Sequence, residues 1–220
     1  MKLVLCSEGF HTATIVDACV RLVGKPQDQI SVGIINEAFA VESGDKRWVL
    51  DNLNSVPKHF SAEIDIINLL ALSIEEVEAR LSSKDIIFVV GGDTDYLMSV
   101  FKKTGFDKLL PKLLETKVYV GSSAGSMVVG TRISTEAYRL MYGEDSNWDI
   151  DQYLDFVDFS IMPHLDSPDF PNRKESLLEA VGSFEGKVYG LRDDSAVVTE
   201  GSDSTIIGSN PIIIESGKLL

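Results

Sequence analysis

Short runs of β-branched and other apolar residues alternate along the chain with segments whose apolar residues recur at helical spacing. Several runs are apolar throughout, which is typical of strands that are covered on both faces. The pattern predicts strands at Lys2–Cys6, Gln29–Ile35, Glu63–Asn68, Asp85–Val90, Lys117–Val120, Phe156–Met162 and Lys187–Leu191. It predicts helices at Thr12–Leu22, Lys46–Asn54, Ile74–Leu81 and Arg173–Phe184. This alternation predicts an α/β fold, with a mostly parallel sheet between two layers of helices.

The last part of the chain follows another pattern. After about Ser195, short apolar segments are separated by Gly, Asn, Ser and Pro, which predicts a C-terminal β-meander. The stretch 142–158 is acidic and weakly periodic, and is predicted to be a surface excursion. No linker or internal repeat interrupts the chain, so we predict a single domain over residues 1–220.

Composition narrows the class of protein. The 34 acidic and 20 basic residues give a net charge of −14, which repels phosphate backbones and argues against nucleic-acid binding. No apolar run approaches the roughly 18 residues of a membrane span, and the first residues are too short an apolar stretch for a signal peptide. Cys6 and Cys19 form no disulfide framework and no metal-ligand spacing. We therefore expect a cytoplasmic protein without membrane contact, metal or cofactor.

The sequence Gly121-Ser-Ser-Ala-Gly125 directly follows an apolar strand and fits the pattern G-x-S-x-G. In such a nucleophile elbow the central serine occupies a strained strand-to-helix turn, and the flanking glycines remove side chains that would clash. This arrangement would expose the Ser123 hydroxyl and place the Ala124 N–H beside a developing oxyanion. The alternative is a glycine-rich loop that binds an anion through its amides, or binds nothing.

A second glycine loop, Gly91-Gly-Asp-Thr94, also follows an apolar strand. Asp93 or Thr94 can cap the helix that begins near Asp95. If this strand neighbours the one before Ser123, both loops lie at the edge where open α/β sheets bind ligands, and a Gly91 or Gly92 amide could be the second oxyanion donor. A plain strand-to-helix turn is the alternative.

His164 is the first choice for a general base. It follows a predicted strand and Pro163, and therefore belongs to the same edge as Ser123. His11, just after the first strand, is the second choice. For the acid that orients the base, Glu136 is the first choice, and three aspartates remain open alternatives: Asp166, Asp193 and Asp194.

Together, the strand–Gly-Gly-Asp-Thr–helix segment, the Val-Gly-Ser-Ser-Ala-Gly-Ser turn and the His in Ile-Met-Pro-His-Leu resemble the peptidase E (alpha-aspartyl dipeptidase) and cyanophycinase family of serine peptidases. The resemblance runs from Met1 to about Ser195. It implies a three-layer α/β fold like that of class I glutamine amidotransferases, and hydrolysis of short peptides without a metal.

Carried onto this chain, the resemblance implies Ser123 as nucleophile, His164 as base, Glu136 as acid, and Gly92 and Ala124 as oxyanion donors. The family's usual Gly-Gly-Asn-Thr is here Gly-Gly-Asp-Thr, which puts an extra carboxylate near the site.

The resemblance to the aspartyl dipeptidase members of the family implies a preference for an N-terminal Asp, which calls for a cation in the pocket. Arg132, Arg139 and Arg173 are candidates for that cation, and Asp93, Thr94 and Arg173 are the predicted substrate contacts. The expected partner is a short peptide, and the expected assembly a monomer or homodimer.

Other functions fit less well. A glutamine amidotransferase would need Cys at position 123 and a His-x-Glu partner, whereas the chain has His164-Leu-Asp166. An α/β-hydrolase esterase usually has its His near the end of the chain, far from the nucleophile. A binding module without catalytic activity, holding a small molecule or an anion in its two glycine loops, is an alternative of another class.

Overall fold

A computed structural model describes residues 1–220, in which eleven strands form two sheets. The strands are β1 (Lys2–Cys6), β2 (Val32–Ile35), β3 (Ile64–Ile67), β4 (Ile86–Val89), β5 (Val118–Ser122), β6 (Phe159–Met162), β7 (Lys187–Gly190), β8 (Ala196–Glu200), β9 (Asp203–Ile207), β10 (Ile212–Glu215) and β11 (Lys218–Leu219). The helices are α1 (Ala13–Val23), α2 (Arg47–His59), α3 (Ile74–Ser82), α4 (Thr94–Thr104), α5 (Phe106–Leu113), α6 (Ala124–Met127), α7 (Thr135–Tyr142) and α8 (Arg173–Glu179). None of these helices is long and apolar enough to cross a membrane.

The larger sheet has seven strands in the order β3-β2-β4-β5-β1-β8-β9. Its first five strands are parallel, while β8 and β9 add an antiparallel hairpin at one side. Residues on its two faces belong to two separate buried clusters, one packed against α1 and α2 and the other against α3 to α6. The mostly parallel sheet between helical layers, predicted from the apolar runs, is confirmed.

The smaller sheet has four strands in the order β11-β10-β7-β6. Only β6 and β7 are parallel, and a third apolar cluster fills the space between this sheet and the helices α7 and α8. The C-terminal strands are therefore present but are shared between two sheets, because β8–β9 extends the large sheet and β10–β11 extends the small one. Apolar runs do not state which sheet a strand joins.

The stretch 142–158 is not a surface excursion. Ile150, Tyr153 and Val157 are buried in the main core. Backbone N–H groups of Leu154 and Phe156 donate to carbonyls in the segment after α6. Its apolar residues have no helical or strand period, because they anchor an irregular segment and not one face of a regular element.

Candidate active site

Ser123 lies between the end of β5 and the first residue of α6, with φ of 50° and ψ of −113°. This is a strained conformation for a residue with a side chain. A Cβ on Gly125 would lie 2.1 Å from the carbonyl oxygen of Val89, and one on Gly121 would lie 2.5 Å from that of Gly125. Both glycines of the pattern are therefore required by close backbone approach, as in a nucleophile elbow.

Buried hydroxyl groups hold this turn. Tyr119 Oη donates to the carbonyl oxygen of Gly125 at 2.6 Å, and Ser126 Oγ donates to that of Cys6 at 2.7 Å. Burial raises the pKa of Tyr119 well above its ordinary value, so the phenol keeps its proton and remains a donor. These buried hydrogen bonds hold the turn in its strained conformation.

His164 follows β6 with a positive φ of 67°, unusual for a residue with a side chain. Its Nδ1 lies 2.7 Å from Oδ1 of Asp193, and its ring stacks on Phe170 with centroids 4.8 Å apart and planes at 14°. Nε2 makes no hydrogen bond within the protein. The imidazole is therefore oriented by a carboxylate on one nitrogen and free on the other, as a general base must be.

The structure does not bring Glu136, the predicted acid partner, into contact with His164. Glu136 is exposed on α7 and makes no hydrogen bond, whereas Asp193, one of the three aspartates left open, contacts His164. Asp166 contacts Asp193 and not His164, since its Oδ1 accepts the Asp193 backbone N–H at 3.2 Å. Asp194 turns away and accepts a hydrogen bond from Ser209 at 2.7 Å. The only signal for Asp193 in the sequence was its place just after the predicted strand Lys187–Leu191.

Asp193 is held in its charged form. Burial alone would raise the pKa of its carboxyl, but the hydrogen bond and charge of His164, with the hydroxyl of Ser7, bring that pKa below its ordinary value. Burial and the nearby Asp193 raise the pKa of Glu8, which lies 3.4 Å from His11. His11, the second choice for the base, is half exposed beside this carboxylate.

Ser7 connects the two halves of the site. The Ser123 N–H donates to the Ser7 carbonyl oxygen at 3.0 Å, and the His164 N–H donates to Ser7 Oγ at 2.8 Å. No hydrogen bond joins the Ser123 hydroxyl to the His164 imidazole, and the two residues are linked through Ser7. Sequence reasoning missed Ser7, although it directly follows β1 at the same edge.

The glycine loop after β4 lies against the turn. A Cβ on Gly91 would lie 2.9 Å from that of Ser123, and Gly92 has a φ of 138° with its α-carbon packed against the backbone of Ala38. The Gly91 and Gly92 N–H groups make no hydrogen bond within the protein. Ala124 begins α6, and the first N–H groups of a helix have no intrahelical partner. Unpaired amides thus flank Ser123.

Asp93 and Thr94 have structural contacts. Asp93 is the N-cap of α4, with Oδ1 accepting the Tyr96 N–H at 2.8 Å and Oδ2 accepting from Trp148 Nε1 at 3.2 Å. The Thr94 hydroxyl is buried against Sδ of Met127 at 3.5 Å. Thr94 therefore faces the interior and not a substrate, and the Asp93 carboxylate is already used by two donors.

Of the three candidate arginines, two are paired with acids. Arg132 contacts the buried Asp95, and Arg139 contacts Asp145 at the surface. Arg173 has no carboxylate partner, and its Nη1 is buried without a hydrogen bond. Its guanidinium lies 4.8 Å from the centroid of Phe170, the ring that also stacks on His164.

No group of three His, Cys, Asp or Glu side chains lies close enough to hold a metal ion.

A strained serine between strand and helix, unpaired amides beside it and a His–Asp pair at the same edge define a candidate serine hydrolase on an α/β scaffold. The family model of Peptidase family S51 matches residues 38–207, and the chain belongs to this family. It is accordingly a peptidase, of the serine type that includes peptidase E.

Individual relatives agree with this assignment. An uncharacterized peptidase of Listeria monocytogenes is 30% identical over 171 residues, which cover 75% of this chain and 76% of the relative. Peptidase E of Streptomyces coelicolor is 31% identical over 137 residues, which cover 59% of this chain and 54% of the relative.

Two solved structures share the fold. A putative peptidase E protein of Listeria monocytogenes has a TM-score of 0.68 at 23% identity, covering 94% of this chain and 97% of the other. A peptidase from an acI-B1 actinobacterium has a TM-score of 0.69 at 16% identity, covering 100% of this chain and 96% of the other.

Proposed function

We propose that this chain hydrolyses short peptides, with Ser123 as nucleophile, His164 as general base and Asp193 as the acid that orients it. The observation that carries the proposal is the 2.7 Å hydrogen bond between His164 Nδ1 and Asp193 Oδ1, next to the strained turn of Ser123. A base held by a carboxylate beside a half-buried serine is the arrangement by which serine peptidases activate a hydroxyl.

In this reaction Ser123 Oγ attacks the carbonyl carbon of the scissile bond, and His164 Nε2 takes the hydroxyl proton. Asp193 stabilises the resulting imidazolium, which then gives the proton to the leaving amine. Water, activated by the same imidazole, hydrolyses the acyl-enzyme. The bond between Ser123 and His164 would form when substrate binds, since catalytic hydrogen bonds are often long in free enzymes.

The negative charge that develops on the carbonyl oxygen needs donors. The N–H groups of Gly92 and Ala124 are the proposed pair. Ala124 directly follows Ser123, Gly92 follows the Gly91 that packs against Ser123, and neither N–H makes a hydrogen bond within the protein. Each such donor is worth about 10²–10³ in rate.

Arg173 is the proposed contact for an acidic substrate side chain. It is a cation without a carboxylate partner, and it shares the ring of Phe170 with His164. A substrate carboxylate would pair with the Arg173 guanidinium through two parallel hydrogen bonds, the geometry that arginine favours. An N-terminal Asp is therefore the proposed preference.

Fluorophosphonate labelling tests the nucleophile. The reagent should add to Ser123 in the wild-type protein and fail to add to Ser123→Ala, which should also lose at least about 10³-fold in peptide hydrolysis. Ser122→Ala is the matched control, because the Ser122 hydroxyl is buried against Asn52 at 3.0 Å and should not react. Labelling of Ser122→Ala at Ser123 supports the assignment. A folded wild-type protein that takes no label would indicate the non-catalytic binding module.

A dipeptide panel tests the substrate. Asp-Leu should be cleaved faster than Ala-Leu, and N-acetyl-Asp-Leu compared with Asp-Leu shows whether a free amine is needed. Arg173→Met should raise KM for Asp-Leu about tenfold or more and leave that for Ala-Leu unchanged. Arg139→Met removes a surface arginine that is paired with Asp145, and should change neither. An equal effect of Arg173→Met on both substrates would contradict the proposed contact.

A further inference from the structure

Ser7 is fully buried directly after β1 and makes four hydrogen bonds at the centre of the site. Its hydroxyl accepts the backbone N–H of His164 and donates to Asp193 Oδ1, both at 2.8 Å. Its carbonyl oxygen accepts the Ser123 N–H at 3.0 Å, and its own N–H donates to the Ser195 carbonyl oxygen at 3.2 Å. One residue thus contacts the proposed nucleophile, base and acid.

The hydroxyl closes a ring of hydrogen bonds. Asp193 Oδ1 accepts from His164 Nδ1 directly, and accepts from Ser7 Oγ, which in turn accepts the backbone N–H of His164. The same carboxylate oxygen is therefore tied to both the ring and the backbone of His164. Because His164 has a left-handed φ of 67°, its backbone needs such a contact to stay in place.

We propose that Ser7 is a positioning residue, whose hydroxyl sets the orientation of the His164 imidazole relative to Ser123 and whose carbonyl oxygen fixes the nucleophile turn. This inference rests on the proposed serine peptidase activity. It adds a fourth residue to the three proposed catalytic ones, and that residue acts through them without touching the substrate.

Removal of the hydroxyl should impair the reaction step and not binding. In Ser7→Ala the His164 N–H loses its acceptor and Asp193 loses one of two donors, so the imidazole is free to shift. Displacements of about 1 Å at a catalytic group can cost about 100-fold. We expect saturation kinetics with a fluorophosphonate to show a kinact lowered by about 10- to 100-fold and a KI within about twofold of wild type.

Two further variants separate positioning from packing. Ser7→Cys keeps the shape of the side chain but replaces the hydroxyl with a weak hydrogen-bonding group, so it should lower kinact nearly as much as Ser7→Ala. Ser160→Ala is the matched control, since this buried hydroxyl donates to the Thr131 carbonyl oxygen at 2.7 Å away from His164 and Asp193. It should lower Tm by about 2–4 °C and leave kinact unchanged.

A proton spectrum gives an independent readout. With only three histidines in the chain, the Nδ1–H proton of His164 can be assigned in histidine-labelled protein. Its resonance should move or broaden in Ser7→Ala and Ser7→Cys but not in Ser160→Ala.

The outcomes are distinguishable. A labelled, active wild type with kinact unchanged in Ser7→Ala and Ser7→Cys would overturn the positioning role and leave the peptidase proposal standing. A wild type that takes no label would overturn both. If Ser7→Ala does not fold, Ser7→Cys decides alone: wild-type kinact in that variant would assign Ser7 to packing, and a lowered kinact with unchanged KI supports positioning.

Discussion

Substitution of Asp193 by Asn removes one charge from the site and little else. The amide oxygen can take the place of Oδ1 and accept from His164 at 2.7 Å and from Ser7 at 2.8 Å, so both hydrogen bonds can persist. What disappears is the attraction between the carboxylate and the imidazolium formed during the reaction. For unit charges about 4 Å apart at an effective dielectric constant of about 20, this attraction is about 4 kcal/mol. That corresponds to about 10³-fold in kcat/KM.

The assay compares Asp193→Asn with Glu136→Gln, which changes the acid that was the first choice from the sequence. Release of free amino acid from Asp-Leu should fall by about 10²–10⁴ in the first variant and stay within about twofold in the second. If Asp193→Asn keeps near wild-type activity while Glu136→Gln loses it, the triad deduced from the geometry is refuted.

The same variant has a signature in the pH dependence of stability. The pKa of Asp193 is lowered in the folded protein, so its carboxylate stabilises the fold above the ordinary pKa of about 3.9, and this contribution is lost as pH falls through the lowered value. Urea unfolding should therefore show wild type more stable than Asp193→Asn at pH 7, with the difference shrinking below about pH 4. A difference that is constant from pH 7 to pH 3 would contradict this reasoning.

Three further substitutions test packing, two at the nucleophile turn and one at the opposite edge of the larger sheet. Gly125→Ala places a Cβ 2.1 Å from the Val89 carbonyl oxygen. In urea titrations it should lower the free energy of unfolding by at least about 2 kcal/mol. A neutral effect would contradict the close approach of the two backbones. Tyr119→Phe leaves the Gly125 carbonyl oxygen without its 2.6 Å donor and should cost about 1–2 kcal/mol by the same measurement, whereas a stabilised variant would show that this bond does not brace the turn. Lys84→Met replaces a buried ammonium whose partner Glu63 is exposed, so stability should change by less than about 1 kcal/mol, and a loss above about 3 kcal/mol would show that the ion pair is needed.

Much of the fold could be predicted because apolar runs report directly on buried strands. The bounds of β1 agree with the predicted Lys2–Cys6, and α3 begins at the predicted Ile74 after a Ser73 capping box. The pairing of the strands could not be predicted from the sequence. For example, β6 is as apolar as the strands of the larger sheet, yet it pairs with β7 in the smaller one. Pairing depends on contacts between distant segments that no local pattern encodes.

The residues of the candidate site also include some that could be predicted from the sequence and some that could not. The turn at Ser123 has a local cause, since close backbone approach requires glycine at fixed positions, and it was visible in the sequence. The acid partner has no such cause. The carboxylate that contacts His164 is determined by the packing of two loops, and with 34 acids in the chain the first choice from the sequence was Glu136, beyond the nucleophile helix, and not Asp193. Ser7 was missed because a lone serine after a strand carries no pattern at all.

The position of β1 in the sheet has a consequence for biosynthesis. This strand pairs with β8 in a register that joins Lys2 to Glu200 and Cys6 to Ala196, so during translation β1 finds this neighbour only after all of the segments between them have been made. Asp193 precedes that same late strand. A fragment that ends before Asp193 would hold Ser123 and His164 without the carboxylate that contacts the imidazole. During synthesis, peptide hydrolysis should therefore appear only after the segment through β8 has been translated and has paired with β1.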